Sequence, residues 1–192
     1  IRNVAYYKNE DNGVYNFYAN IIKSGPEARI VLDNFSKLSG YVFTPEVTRR
    51  LIKDFPKNIV GMKDSTGNLW DNFKAENFSM FVGSEKKLLD NLEAGGAGCI
   101  SATTNFSSSL ARKVYDDFKE KKDNSLNQKL VNVRNTFEKY NLISGLHTYF
   151  SKKEIYYKNL LPPLSILNSK EASDLINNLE KLNFSLNNTK AA

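Results

Sequence analysis

Asn58-Ile59-Val60-Gly61-Met62-Lys63-Asp64-Ser65-Thr66-Gly67-Asn68 is the stretch on which the fold turns. An apolar run ends in a lysine and then in turn-forming residues, the pattern of a short strand opening into a loop. Alternate residues of a strand share a face, so Ile59, Gly61 and Lys63 are expected to point the same way. In a parallel sheet both faces are normally buried. Lys63 then lies at the strand's C-terminal end, where α/β folds place their chemistry, with Gly61 leaving space for a small ligand. Burial disfavours an ammonium, and the neutral amine is a nucleophile that condenses with a ketone. The resulting iminium is an electron sink, so the adjacent carbon can be deprotonated or a C–C bond broken. Taken alone, the lysine reads more simply as a strand-end residue whose ammonium reaches water, because lysine is rarely buried.

Outward from this strand, short apolar runs alternate with longer amphipathic segments. Further strands are expected at Val4–Tyr7, Arg29–Asn34, Phe78–Gly83 and Gly98–Thr103, and helices at Val14–Lys23, Pro45–Asp54, Lys86–Ala94 and Ser107–Lys119. Thr44 is a plausible N-cap, and Pro45 suits the first helical position, where its missing N–H costs nothing. Alternation at this spacing predicts a parallel sheet with helices outside. After Thr103 the pattern is helical: Leu126–Tyr140, Gly145–Phe150 and Ala172–Leu182, with Leu161-Pro162-Pro163-Leu164 as a rigid break. Periodicity alone favours an open, doubly wound sheet, since a closed (β/α)8 barrel needs eight strands and typically about 250 residues.

Composition narrows the function classes. The chain has 192 residues, 41% of them hydrophobic and 25% charged, as in an ordinary globular protein. No stretch reaches the roughly 20 apolar residues of a membrane helix, so no membrane partner is expected. The single cysteine, Cys99, excludes an intramolecular disulfide, and with the single histidine, His147, it cannot make a Cys/His zinc site. No carboxylate cluster suggests a metal, no cofactor is called for, and a reducing, cytoplasmic setting is expected. The net charge is +6, but the densest basic run, Lys119 to Lys122, contains Glu120 and is followed by Asp123. It is a solvated helix end rather than a nucleic-acid stripe.

Val60-Gly61-Met62-Lys63-Asp64-Ser65-Thr66-Gly67-Asn68 closely resembles the Gly-x-Lys-[Asp/Glu]-x-[Thr/Ser]-Gly-Asn signature around the Schiff-base lysine of the dihydrodipicolinate synthase and N-acetylneuraminate lyase family. Other landmarks follow in the family's order. Val82-Gly83-Ser84-Glu85 resembles the loop after the seventh strand. Gly95-Gly96-Ala97-Gly98-Cys99-Ile100-Ser101-Ala102-Thr103-Thr104-Asn105 resembles the eighth strand, and Asn159-Leu160-Leu161-Pro162-Pro163-Leu164 the proline break of the C-terminal helical region. The resemblance implies a TIM (β/α)8 barrel of which strands 4–8 are present, residues 1–120, followed by a C-terminal helical domain, residues 121–192. It also implies a homo-oligomer, tetramer or dimer, that acts as a class I aldolase or lyase on pyruvate or another 2-oxo acid and an aldehyde, with Lys63 as nucleophile. Tyr6-Tyr7 falls where the family has a Tyr-Tyr pair, which makes Tyr7 a candidate proton relay reaching a neighbouring subunit's site. Gly83 and Ile100 match positions whose backbone lines the pyruvoyl pocket. Glu85 matches a contact to the distal part of longer substrates, and Ala102 a position that often carries serine in sugar-acid lyases. Each also has an ordinary structural reading: strand packing for the tyrosines, a turn for Gly83, core packing for Ile100, and a solvated helix start for Glu85, where the helix dipole favours a negative charge.

The family's fifth strand ends in Tyr-Asn-x-Pro, and its tyrosine shuttles protons at the Schiff base. Here the matching run is Leu32-Asp33-Asn34-Phe35-Ser36, so Asp33 stands in the tyrosine's place. A carboxylate is a competent acid or base but is normally ionised at neutral pH, and close to Lys63 it favours the charged amine. Leu38 stands where true dihydrodipicolinate synthases carry an arginine for the semialdehyde's carboxylate. Leucine cannot hold a carboxylate, which points toward a 2-keto-3-deoxy sugar acid aldolase or an N-acetylneuraminate lyase-type activity. The family's carboxylate-binding Gly-x-x-Gly-Glu loop precedes the position of Ile1, and five strands do not close an eight-stranded barrel, so the sequence is expected to be a piece of a longer protein. A barrel that has lost catalysis and serves as a binding protein is the alternative of another class.

Overall fold

The computed structural model describes residues 10–185. The predicted strand Val4–Tyr7, and Tyr7 with it, lies outside them. The described residues form two compact units, divided between Ile100 and Ser101.

The first unit holds a parallel sheet of β1 (Ile30–Asn34), β2 (Ile59–Asp64), β3 (Ser79–Val82) and β4 (Gly98–Cys99). Its strands lie side by side in the order β1-β2-β3-β4, every pair parallel. This sequential order lacks the reversal that defines a doubly wound sheet, so the doubly wound topology expected from periodicity does not hold for the described strands. The helix α1 (Asp11–Ser24) precedes β1, the single turn α2 (Ser36–Ser39) and α3 (Pro45–Asp54) lie between β1 and β2, and α4 (Leu88–Glu93) lies between β3 and β4.

Local chemistry sets these boundaries. Thr44 caps α3 by accepting from the Val47 N–H at 3.2 Å, with Pro45 as the first helical residue. The Asp11 carboxylate accepts from the Tyr41 hydroxyl at 2.6 Å and from Thr44 at 2.7 Å, which ties the start of α1 to the cap of α3. Val14, Tyr18 and Ile22 of α1 and Val47 and Leu51 of α3 bury their side chains with Leu32 of β1 and Met62 of β2 in one apolar core.

The two faces of the sheet differ. In β1, Ile30, Leu32 and Asn34 are buried while Val31 and Asp33 are half-buried. Register pairs Leu32 with Met62, Asp33 with Lys63 and Asn34 with Asp64. One face therefore carries Leu32, Met62, Asn34 and Asp64 toward the core, and the other carries Asp33 and Lys63. The register slips between Ile30 and Val31, which pair with Ile59 and Gly61, so Val60 is an extra residue. Ile59 is thereby taken out of step with Gly61 and Lys63.

The second unit is helical: α5 (Thr104–Lys119), α6 (Leu126–Phe137), α7 (Leu142–Phe150) and α8 (Ser169–Lys181). Phe106, Phe137, Tyr149 and Phe184 stand at the centre of its core with Leu175 and Leu179. Asn168 and Glu171 form a capping box at the start of α8. The strand expected at Gly98–Thr103 ends at Cys99. The Ile100 N–H still donates to Val82 at 3.0 Å, after which Thr103 accepts from Phe106 and Ser107 and turns the chain into α5. That helix starts before the predicted Ser107, which is a kink inside it (φ −92°, ψ 15°).

Tyr18 is fully buried, and its hydroxyl is pushed well above the ordinary value of 10, first by burial and then by the charge of Asp33. Tyr41 is pushed up by burial and by its hydrogen bond to Asp11. The folded protein holds both protons more tightly than the unfolded chain, so their contribution is complete below the unfolded value and is lost as pH rises past it. Urea unfolding followed upward from about pH 8 should show a midpoint that falls above about pH 10. Tyr18→Phe should flatten that fall, and an unchanged slope in the variant would contradict the assignment.

Candidate active site

The centre of the site is a buried carboxylate, Asp64, at the last position of β2. Its Oδ1 accepts from Asn34 Nδ2 and Gly67 N, each at 2.8 Å, and its Oδ2 from Leu69 N at 2.8 Å and Trp70 N at 3.0 Å. Asn34 also donates to Asn68 Oδ1 at 2.8 Å and accepts from Phe43 N at 3.2 Å, while Asn68 donates to Phe43 O at 3.0 Å. A buried charge demands such partners, and this one obtains them by folding the 65–70 loop back over the strand end. Gly67 takes φ +90°, a backbone state that glycine enters freely. The same loop ties the end of β1, where Ser65 N and Thr66 N donate to Asn34 O and Ser36 N donates to Thr66 Oγ1 at 2.9 Å.

Lys63 immediately precedes that anchor and therefore points to the opposite face. Its Nζ lies 3.3 Å from Asp33 Oδ1, and the two side chains are 23% and 29% exposed. The Phe35 ring centroid is 5.7 Å from the same nitrogen, and Phe81 of β3 is the register partner of Lys63 on its other side. An amine, a carboxylate that can take or return its proton, and an aromatic ring thus converge at the C-terminal ends of adjacent parallel strands. That set can form and break an imine at Nζ.

The other predicted residues are placed as follows. A Cβ on Gly61 would stand 2.5 Å from the Ser79 carbonyl oxygen, so this glycine admits the neighbouring strand and does not leave the expected room for a ligand. A Cβ on Gly83 would collide with the Ser65 side chain and approach its Cα to 2.9 Å, so Gly83 lets the loop after Lys63 settle against β3. Gly83 N donates to Asp64 O at 3.1 Å, which binds the two strand ends together. Glu85 is completely buried, contrary to its reading as a solvated helix start. Its charge adds to burial in pushing the Cys99 thiol up to about 12. Ile100 is 43% exposed and is not the core residue of its ordinary reading. Ala102 belongs to the second unit and packs against that unit's aromatic core.

The sequence singles out Lys63 and Asp33, which the structure brings within 3.3 Å of each other, and it gives no role to Asn34 and Asp64. The available signal was an aspartate followed within a few residues by glycine and asparagine, the chemistry of a side chain that accepts from its own turn. Among the described residues no three His, Cys, Asp or Glu side chains gather to hold a metal ion, and no helix is long and apolar enough to cross a membrane. A cavity of about 320 Å³ in the second unit, lined by Tyr149, Lys152 and Phe184 among others, contains none of the residues that the sequence singles out.

Residues 4–182 match the model of the dihydrodipicolinate synthetase family. A 2-dehydro-3-deoxy-D-gluconate/2-dehydro-3-deoxy-phosphogluconate aldolase of Picrophilus torridus is 24% identical over 167 residues, which cover 83% of this chain and 61% of that protein. The 4-hydroxy-tetrahydrodipicolinate synthase of Wigglesworthia glossinidia brevipalpis is 33% identical over 112 residues, 54% of this chain and 37% of that protein. Among solved structures, dihydrodipicolinate synthase from Cyanidioschyzon merolae superposes with a TM-score of 0.83 at 17% identity, over 93% of this chain and 62% of that one. The chain thus spans less than two thirds of the length of these relatives, and the structural likeness is one of fold.

The lattice around Asp64 makes a direct demand on stability. Asp64→Asn keeps the shape but turns an amide N–H₂ toward N–H donors, and should cost about 2–3 kcal/mol of unfolding free energy. Urea denaturation of the variant checks this, and a loss below about 0.5 kcal/mol, the range of an ordinary surface change, would show that the lattice is not what holds the loop.

Proposed function

This chain belongs to the dihydrodipicolinate synthetase family, and on that premise we propose that it is the imine-forming part of a class I aldolase or lyase acting on pyruvate or another 2-oxo acid. The observation that carries this reading is the placement of Lys63 Nζ at 3.3 Å from Asp33 on the face of the sheet opposite the core. Asp33 takes a proton from the Lys63 ammonium, and the freed amine attacks the carbonyl carbon of the 2-oxo acid. The attacking nitrogen, now cationic, gives up one proton and the carbonyl oxygen gains it, which leaves a neutral carbinolamine with a hydroxyl. Asp33 then returns its proton to that hydroxyl, which leaves as water as the protonated imine forms. Charge is conserved and one water is released. Loss of a C3 proton gives an enamine that adds to an aldehyde, and the reverse sequence cleaves the bond.

In this reading β1–β4 are strands five to eight of a (β/α)8 barrel, residues 1–120 its barrel portion and 121–192 its C-terminal helical domain. Tyr7 is a relay from a neighbouring copy in a homo-oligomer, and the backbone of Gly83 and of the exposed Ile100 lines the substrate path, whereas the fully buried Glu85 does not reach it. The reaction is cytoplasmic and needs no cofactor. Leu38, 51% exposed on the turn after β1, favours a 2-keto-3-deoxy sugar acid over a semialdehyde whose carboxylate needs a cation there. The mix of relatives, a sugar-acid aldolase beside a dihydrodipicolinate-forming enzyme, is compatible with either.

Borohydride treatment in the presence of pyruvate, followed by peptide mass spectrometry, should give a pyruvate-dependent adduct on Lys63 that is absent from Lys63→Arg. Asp33→Asn should slow adduct formation by about 10²–10⁴. No adduct with pyruvate or with longer 2-oxo acids would overturn the catalytic reading in favour of a binding protein. A product screen of pyruvate against a semialdehyde and several sugar aldehydes then separates the two substrate classes, and turnover of the semialdehyde alone would overturn the preference drawn from Leu38.

A further inference from the structure

Phe35 is an aromatic residue whose position the core does not explain. It is half-buried and, among the described residues, is not one of those packed into or against the apolar core of the first unit. Its backbone is nevertheless held on both sides. Asn34 before it is locked in the Asp64 lattice, and Ser36 after it donates to Thr66 at 2.9 Å. Its own carbonyl accepts from Leu38 N and Ser39 N, both at 2.9 Å, in the turn of α2. The ring so placed stands 5.7 Å from Lys63 Nζ, within the range of a cation–π contact.

We propose that Phe35 is a catalytic residue whose ring face stabilises the protonated imine on Lys63; this rests on the assignment of Lys63 as the imine-forming lysine. Condensation turns an ammonium into an iminium and releases one water, so the nitrogen is cationic before and after. What changes is the shape and hydration of the cation. An ammonium is compact, strongly hydrated and offers three N–H donors, whereas an iminium is planar, delocalised and offers one. Planar, weakly hydrated cations stack on aromatic faces, as guanidinium does and ammonium does less well. Asp33 satisfies the one remaining N–H, and the ring covers the face from which the other donors have gone. The ring therefore favours the imine over the resting ammonium.

Fluorinated phenylalanines at position 35 of the full chain test this with little change of shape, since each added fluorine withdraws charge from the ring face. The readout is the pyruvate concentration giving half-maximal borohydride-trapped adduct on Lys63. One, two and three fluorines should raise it progressively, by about two- to fivefold across the series. Phe35→Leu should match or exceed the trifluorinated protein, and Phe35→Trp should leave the value close to that of the unsubstituted chain. A half-maximal concentration unmoved by fluorine would overturn the role of Phe35 while leaving Lys63 as the nucleophile. No adduct in the unsubstituted protein would overturn the Lys63 assignment, and the proposal would fall with it.

Discussion

A carboxylate buried at the end of a strand constrains everything near it. Asp64 keeps its place because both oxygens are met by N–H donors from its own loop and from Asn34. The requirement is local, yet its consequence for Lys63 is global. Adjacent strand residues point to opposite faces, so fixing Asp64 on the core side fixes Lys63 on the other. The pairing of Asp33 with Lys63 follows from the same register that pairs Asn34 with Asp64. One satisfied carboxylate thus sets the geometry of a second, half-buried pair without touching it.

The sheet separates two tasks by face. Toward the helices lie Leu32, Met62, Asn34 and Asp64, which hold the unit together by apolar packing and by a closed polar lattice. Away from them lie the half-buried Asp33 and Lys63, 3.3 Å apart, with the Phe35 ring beside the amine. The glycines serve this division. Gly61 admits the β3 backbone and Gly83 admits Ser65, so neighbouring strand ends approach closely enough for the reactive residue to sit among them. Larger side chains at either place would part the strands and displace the loop that Asp64 organises.

Much of this was legible in the sequence because it depends on local signals. The helix expected at Pro45–Asp54 has those bounds in the structure, and its start is set by a threonine cap followed by a proline at the first helical position. The ends of β1 and β2 came within a residue, because an apolar run stops where turn chemistry begins. What periodicity could not reveal were effects of partners distant in sequence. The bulge at Val60 arises from pairing with β1. The early end of β4 follows from Thr103 turning the chain into α5, although Ile100 onward has the composition of a strand. Glu85 is buried although its sequence setting suggests a solvated helix start. Asn34 and Asp64 were visible as members of motifs, but their mutual hydrogen bond spans 30 positions and has no one-dimensional signature.

Asp33 alters the proton chemistry that the resemblance suggests. A tyrosine hydroxyl can relay a proton while remaining neutral, whereas aspartate opposite lysine makes a resting ion pair. Such a pair is stable in water because both charges are solvated, and it loses that solvation when water is excluded. On the proposed chemistry, a 2-oxo acid arriving over Lys63 displaces the water that remains around the two partly buried partners. Moving the proton from nitrogen to carboxylate then removes two poorly solvated charges and yields the neutral amine beside the carbonyl it must attack. The pair that holds the lysine unreactive in solvent becomes a means of activation when substrate closes over it. Asp33 Oδ1, the atom that faces Nζ, is already buried without a hydrogen-bond partner, while the two side chains as a whole keep about a quarter of their surface in contact with solvent. The pair is thus partly dry at rest, and the arriving substrate has only the remaining water to remove before the proton moves.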